Sequence, residues 1–151
     1  MNHQALADEI SFLLATETRS LARHLEEAVP YLSAPTYRIW HKLKHLSQAS
    51  REHAKRLSAL QESLELPPRP HPFSPEVANY HYVDVAFLLP KLIDEKQSQI
   101  AAYRRAIRHA QHDEQVKAEL ESLLADNETQ LQTLEHCNRD LTANPAPADV
   151  S

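Results

Sequence analysis

Six polar residues occupy positions where four segments of this 151-residue chain would otherwise carry apolar side chains. They comprise one carboxylate, one imidazole, one ammonium, one hydroxyl and two amides. Carboxylates and imidazoles are good metal ligands, whereas neutral hydroxyls and amides serve mainly as hydrogen-bond donors and acceptors. The types therefore indicate either a metal site or a hydrogen-bonded core. The six, which we call the polar layer, are Glu17, Ser50, His53, Lys96, Asn127 and Gln130.

The spacing of the polar layer repeats along the chain. The second and the fourth segment each carry two of its residues, separated by three positions. Glu17 of the first segment precedes Ser50 by 33 residues, and Lys96 of the third precedes Asn127 by 31. The two halves of the chain therefore carry these polar residues at similar spacings. We expect the six side chains to meet at one level of a helical structure.

Four amphipathic helices are predicted to position these residues. Apolar residues recur with the 3.6-residue period of a helix over residues 4–28, 35–64, 84–110 and about 113–141. Pro30 ends the first helix, and Asp113 is expected to cap the fourth. Pro90 lies in the first turns of the third helix or marks a kink. Rods of about 25 residues, each about 37 Å long, bury their apolar faces best as a bundle.

The links between the helices predict the topology. The first and third links are short, so each joins two antiparallel helices. The middle link, about residues 65–83, contains the proline-rich sequence LPPRPHPFSP and is long enough to run back along the bundle. We therefore predict an all-α, single-domain protein over residues 1–141 with one long crossover connection, followed by a disordered tail over residues 142–151.

Composition narrows the classes of function. The chain has no glycine, which disfavours phosphate-binding glycine loops and β-hairpins. Its formal net charge of −5 gives no general attraction to nucleic acid. The single cysteine, Cys137, cannot form an internal disulfide, and the stretch MNHQALADEISFLL carries acids and has no apolar run of the length expected for a signal peptide or a membrane span. We expect a cytoplasmic protein that binds neither nucleic acid nor membranes.

Four stretches carry a resemblance to a known family. They are LATETRSLARHLEEA around Glu17, SREHAKRL from Ser50, KQSQIAAYRRAI from Lys96, and LLADNETQLQTLE over residues 123–135. Together they resemble the ferritin-like proteins of the bacterioferritin and rubrerythrin type, over about residues 5–140. The resemblance implies a four-helix bundle. In that family, a glutamate on each of the first and third helices and a Glu-x-x-His on each of the other two hold two irons.

The resemblance places two of the six iron ligands on matching residues, Glu17 and His53. The glutamate of the second helix corresponds to Ser50. The glutamate of the third corresponds to Lys96, or to Glu95 if that helix is shifted by one residue. In the fourth helix the glutamate and the histidine correspond to Asn127 and Gln130.

The remaining ligands are too few for two irons. A di-iron site needs about four carboxylates and two imidazoles, and an ammonium would repel a metal ion. We therefore expect ferroxidase chemistry to be lost and no metal to be bound. We predict instead a buried network in which Glu17 pairs with Lys96. The alternative is one Fe or Zn ion held by Glu17, His53 and Glu95.

The sequence thus favours a non-catalytic binding or assembly module with an unidentified protein partner. The resemblance implies a homodimer formed through the first two helices. A storage cage is not expected, because the family's cages use a fifth helix where this sequence has TANPAPADVS. A third possibility, a small-molecule binder with the polar layer as its floor, requires a cavity.

Overall fold

The computed structural model describes residues 3–19, 34–66 and 85–143. Within these ranges the chain forms four helices and no strand, which confirms the all-α prediction. The helices are α1 (His3–Thr18), α2 (Ala34–Ser63), α3 (Val85–His109) and α4 (Glu114–Ala143). None of the described helices combines the length and the apolar character that crossing a membrane would require.

The ends of α2, α3 and α4 lie within two residues of the predicted ones. The predicted continuation of the first helix to residue 28 and most of the predicted connector, residues 67–83, lie outside the described residues. Pro90 lies inside α3 with its side chain exposed. The helix α4 continues to Ala143, two residues beyond the predicted end, and residues 144–151 of the predicted tail lie outside the described part of the chain.

The helix α2 ends in a motif that most proteins build on glycine. The amide of Glu65 donates to the carbonyl of Glu62, and the amide of Leu66 donates to that of Gln61. These two bonds define a Schellman motif, in which one residue must adopt a left-handed conformation. Here that residue is Glu65, with a φ of 54°. Leu66 is buried and packs in the same apolar cluster as Leu60.

The link between α3 and α4 is a tight turn stabilised by a helix cap. Asp113 Oδ1 accepts a hydrogen bond of 3.1 Å from the amide of Val116, as expected of an N-cap residue. The carbonyl of Asp113 also accepts from the amide of Lys117. The predicted capping role of Asp113 is thereby confirmed. Because the link is so short, α3 and α4 run antiparallel.

Side-chain contacts give the directions of the other helices. Glu17 of α1 contacts His53 of α2, and Ser11 contacts Gln61, so residue numbers fall along one helix as they rise along the other. The helices α1 and α2 are therefore antiparallel. The same reasoning applies to α2 and α4, because His53 contacts Asp126. One turn further along α2, Arg56 contacts Glu119 through an ion pair of 2.6 Å.

The apolar core consists of two clusters, and the polar layer lies between them. On α2, α3 and α4, buried polar residues separate the members of one cluster from those of the other. The first cluster includes Leu6, Ile10, Leu13, Leu57, Tyr103, Leu120 and Leu123. The second includes Ile39, Leu43, Leu46, Leu89, Leu92 and Leu134. Each polar residue at this level must therefore find its partners inside the protein.

Candidate functional site

All six residues of the polar layer are buried, with exposed fractions between 0 and 8%. Glu17 comes from α1, Lys96 from α3, and the other four from α2 and α4 in pairs one helical turn apart. The neighbour of Lys96, Glu95, is only partly buried. The residue of α3 that points into the core is therefore the lysine.

The carboxylate of Glu17 pairs with the imidazole of His53. His53 Nδ1 donates to Glu17 Oε2 over 2.9 Å, and both side chains are almost fully shielded from solvent. The second ring nitrogen, Nε2, lies 3.4 Å from Asp126 Oδ2, whose side chain is 53% exposed. The imidazole thus lies between a fully buried carboxylate and one at the surface.

The ammonium of Lys96 binds two amide oxygens of α4. Its Nζ donates to Asn127 Oδ1 and to Gln130 Oε1, each over 2.8 Å. Asn127 Nδ2 in turn donates to the carbonyl of Leu123, which fixes the orientation of that amide. Burial lowers the pKa of Lys96, and the nearby negative charge of Glu17 partly opposes this decrease.

The predicted ion pair between Glu17 and Lys96 is wrong. The structure divides the polar layer into two bonded groups, Glu17 with His53 and Lys96 with the two amides. Among the described residues, no contact within ion-pair distance joins the two charges, although they remain close enough to influence each other. Ser50 is buried beside them and makes no hydrogen bond to the other five within the described part of the chain.

Several residues that the sequence reasoning missed extend this site. Gln99 lies one turn after Lys96 on α3 and is completely buried. Its three-residue separation from Lys96, which matches the pairs on α2 and α4, was the signal that could have identified it. At the surface, Arg56 lies 3.5 Å from Asp126, so His53 and an arginine share that carboxylate. Nothing in the periodicity marks Asp126, because it lies on an exposed position of α4.

Some buried polar atoms of the site have no hydrogen-bond partner among the described residues. They are Glu17 Oε1, both polar atoms of the Gln99 amide, and the hydroxyl of Tyr103. The Tyr103 hydroxyl lies near the Asn127 side chain but outside hydrogen-bond geometry. Burial raises the pKa of Tyr103, and the negative charge of Glu17 raises it further. An unpaired buried polar group is costly, so these atoms are a source of local instability.

The residues present do not fit the di-iron centre that the family resemblance implies. The polar layer offers one carboxylate and one imidazole, and the two are already bonded to each other. The ammonium of Lys96 adds a positive charge where the metals would lie. Across the described helices, no three His, Cys, Asp or Glu side chains form a group that could hold a metal ion. The alternative set Glu17, His53 and Glu95 is therefore not gathered into one site.

No family model, no curated protein and no solved structure matches this chain. The resemblance to ferritin-like proteins therefore depends on the four sequence stretches around Glu17, Ser50, Lys96 and Asn127, and it stays a prediction. The geometry of the polar layer, in contrast, is observed in the structure and does not depend on this resemblance.

Proposed function

We propose that this protein is a non-catalytic binding or assembly module with a ferritin-like fold, in which a buried polar network occupies the former iron positions. The observation that carries the proposal is the pair of hydrogen bonds from Lys96 to Asn127 and Gln130. A lysine bonded in this way holds α3 against α4 without any metal. It also supplies a positive charge to a level of the core that contains the buried carboxylate of Glu17.

The crossover topology is part of the same proposal. The helix α2 is antiparallel to α4, and α4 is antiparallel to α3, so α2 and α3 run in the same direction. A chain that leaves the end of one parallel helix must travel back along its length to begin the next. This relationship supports a long connection over residues 67–84, as in the one-crossover bundles.

The proposal includes a homodimer and a cytoplasmic location. The dimer follows from the resemblance, in which the first two helices form the interface, and a protein partner would act on a surface outside the polar layer. The cytoplasmic location is proposed because a sequence with one cysteine offers no internal disulfide, the feature that would indicate an oxidising compartment. A measurement of molar mass by light scattering would test the dimer, and a mass equal to that of one chain would exclude it at the concentration used.

A metal-binding protein with a reduced site is the rival function. One observation favours it: Glu17 Oε1 is buried and has no hydrogen-bond partner in the described part of the chain, so this oxygen could bind a cation. The rival requires His53 to turn away from Glu17 Oε2 or to share it with the metal. Both residues would then serve as ligands of one Fe or Zn ion.

Metal analysis separates the two functions. The protein is purified without a histidine tag, and its metal content is measured by mass spectrometry before and after anaerobic incubation with ferrous iron. We expect no stoichiometric metal in either sample. One tightly held metal per chain that disappears in the His53→Ala variant would overturn the proposed function and establish the metal-binding one.

A further inference from the structure

A groove of about 620 Å³ runs between α2 and α4 beside the polar layer. Leu46 and Ala49 of α2 form its apolar part, and Gln130 of α4 connects it to the buried network. Its volume lies in the range of about 300 to 1,000 Å³ that is typical of small-molecule sites. The groove is open along one side, so a ligand could enter without any movement of the helices.

The hydrogen bond from Lys96 decides which end of the Gln130 amide faces the groove. An ammonium only donates, so the oxygen Oε1 must point toward Lys96 Nζ, as it does at 2.8 Å. The amide nitrogen Nε2 then points away from Lys96. No acceptor among the described residues binds this nitrogen, although the side chain is only 8% exposed. The groove therefore has a donor held in position that lacks a protein acceptor.

The polar side chains along the groove favour an anionic ligand. Lys42 and His45 of α2 and His136 of α4 line it, and none of its lining residues is acidic. One of these side chains contacts a carboxylate outside the groove: His136 Nε2 lies 3.4 Å from Asp140 Oδ2. Neither Lys42 nor His45 forms an ion pair within the part of the chain that the structure describes. The ammonium of Lys42 beside an apolar surface is complementary to an amphipathic anion.

We propose that this groove binds a small amphipathic carboxylate. Its carboxylate group accepts a hydrogen bond from Gln130 Nε2 and lies near the positive charge of Lys42, while its hydrocarbon part covers Leu46 and Ala49. The buried Lys96 acts as a positioning residue, because it orients the amide of Gln130. This proposal goes beyond the proposed function, since an assembly module would be complete without a ligand.

A second groove between the same helices provides an internal comparison. It has a volume of about 480 Å³ and is lined by residues that include Arg56, Gln115, Asp113 and Glu119. Arg56 is already paired with Glu119 over 2.6 Å, so its charge is neutralised. We expect no anion to bind there, and changes in this groove serve as controls.

Calorimetric titration with dodecanoate, below its micelle concentration, tests the proposal. Dodecyltrimethylammonium has the same chain and the opposite charge. We expect one dodecanoate per chain and at least tenfold weaker binding of the cation. Gln130→Glu should weaken dodecanoate binding at least tenfold, because it replaces the donor by a like charge. The matched control, Gln115→Glu in the second groove, should leave the affinity within twofold.

A second pair of variants keeps the test independent of the folding of Gln130→Glu. Lys42→Gln should weaken dodecanoate binding about fivefold or more, whereas Lys55→Gln, which alters an exposed lysine paired with Glu52, should not. Equal binding of both amphiphiles, equal effects of the paired variants, or no binding of dodecanoate would each overturn the proposal. None of these results depends on metal content or on molar mass, so the ligand proposal and the proposed function can fail separately.

Discussion

His53 Nδ1 lies 2.9 Å from Glu17 Oε2, and this contact joins α1 to α2 through two side chains that are shielded from water. The partner is needed because a carboxylate without one is among the most costly groups to bury. The opposite ring nitrogen faces the half-exposed Asp126. Three helices are thus connected by one imidazole, and the stability of the polar layer should depend on it.

We expect His53→Leu to lower the free energy of unfolding by about 3 kcal/mol, because Glu17 is left buried without a hydrogen-bond donor. Leucine has a similar volume, so the loss of packing is small. Adding Glu17→Gln to His53→Leu should recover at least about 1 kcal/mol by removing the unpaired charge. The measurement is urea denaturation followed by circular dichroism.

The control for this change is His112→Leu, which alters an exposed histidine in the turn between α3 and α4. It should change the free energy of unfolding by no more than about 0.5 kcal/mol. If His53→Leu has an effect as small as the control, the Glu17–His53 contact contributes nothing to stability.

Lys96→Met should destabilise the protein by about 2 kcal/mol or more at pH 7. The reason is that Asn127 Oδ1 and Gln130 Oε1 lose their donor and stay buried. Gln130→Leu added to Lys96→Met should recover about 1 kcal/mol, because it removes one of the two acceptors. Urea denaturation of the single and double variants measures both effects.

A comparison with Glu17→Gln distinguishes two roles for the lysine. If Lys96 mainly neutralised Glu17, then Glu17→Gln combined with Lys96→Met would restore most of the stability. We expect a smaller recovery from this pair than from Gln130→Leu with Lys96→Met, because Glu17 has its own partner in His53. The opposite order would show that the charge of Glu17 outweighs the hydrogen bonds to α4.

The level of the polar residues could be predicted from the sequence, whereas their partners could not. Helical periodicity places Glu17, His53 and Lys96 on the inward faces of three helices, and a one-turn spacing aligns the pairs on α2 and α4. Periodicity gives a side chain's direction to within a fraction of a turn. It carries no information about side-chain rotamers or helix rotations, which decide whether the carboxylate contacts the imidazole or the ammonium.

The contacts of several other residues could not be predicted from the sequence either. Asp126 occupies an exposed position of α4, and its contact with His53 depends on the distance between α2 and α4. Within the described helices, Gln99 has no partner for either of its polar atoms, a cost that no favourable pattern would predict. The left-handed conformation of Glu65 could not be predicted either. A Schellman motif is usually indicated by a glycine, and this sequence has none at the end of α2.

Tyr103 should make the protein less stable at alkaline pH. Burial raises the pKa of its hydroxyl in the folded state, whereas the unfolded chain releases the proton near pH 10. Above pH 10 the folded state therefore holds more protons than the unfolded state, and stability falls as the pH rises. The slope contributed by one such group is about half of 1.4 kcal/mol per pH unit at pH 10 and approaches about 1.4 kcal/mol per pH unit above pH 11.

The Tyr103→Phe variant isolates this contribution. The difference in unfolding free energy between the variant and the wild type should be constant from pH 7 to 9. It should then grow in favour of the variant by about 1 kcal/mol between pH 10 and pH 11, because half of the unfolded chains still hold the proton at pH 10. Lys96 is present in both proteins, so its own titration cancels. A difference that stays constant through pH 11 would mean that Tyr103 ionises in the folded state as readily as in the unfolded chain.

Glu65→Gly should stabilise the protein. Glu65 adopts a φ of 54°, where the Cβ atom of a side chain approaches the backbone too closely at a cost of roughly 1 kcal/mol. Glycine has no Cβ atom and adopts this conformation without that cost. The hydrogen bonds of the motif come from the backbone of Glu65 and Leu66, so they survive the substitution. Thermal denaturation should show a rise of about 2 to 4 °C in Tm, which is the shift that about 1 kcal/mol produces in domains of about 150 residues or more.

The matched control is Ala59→Gly, at an exposed position within α2. There the backbone is helical, so glycine only adds conformational freedom to the unfolded chain and should cost about 1 kcal/mol. The two glycine substitutions are therefore expected to move Tm in opposite directions. If both lower it, Glu65 is not held in the left-handed conformation in solution, and α2 ends in some other way.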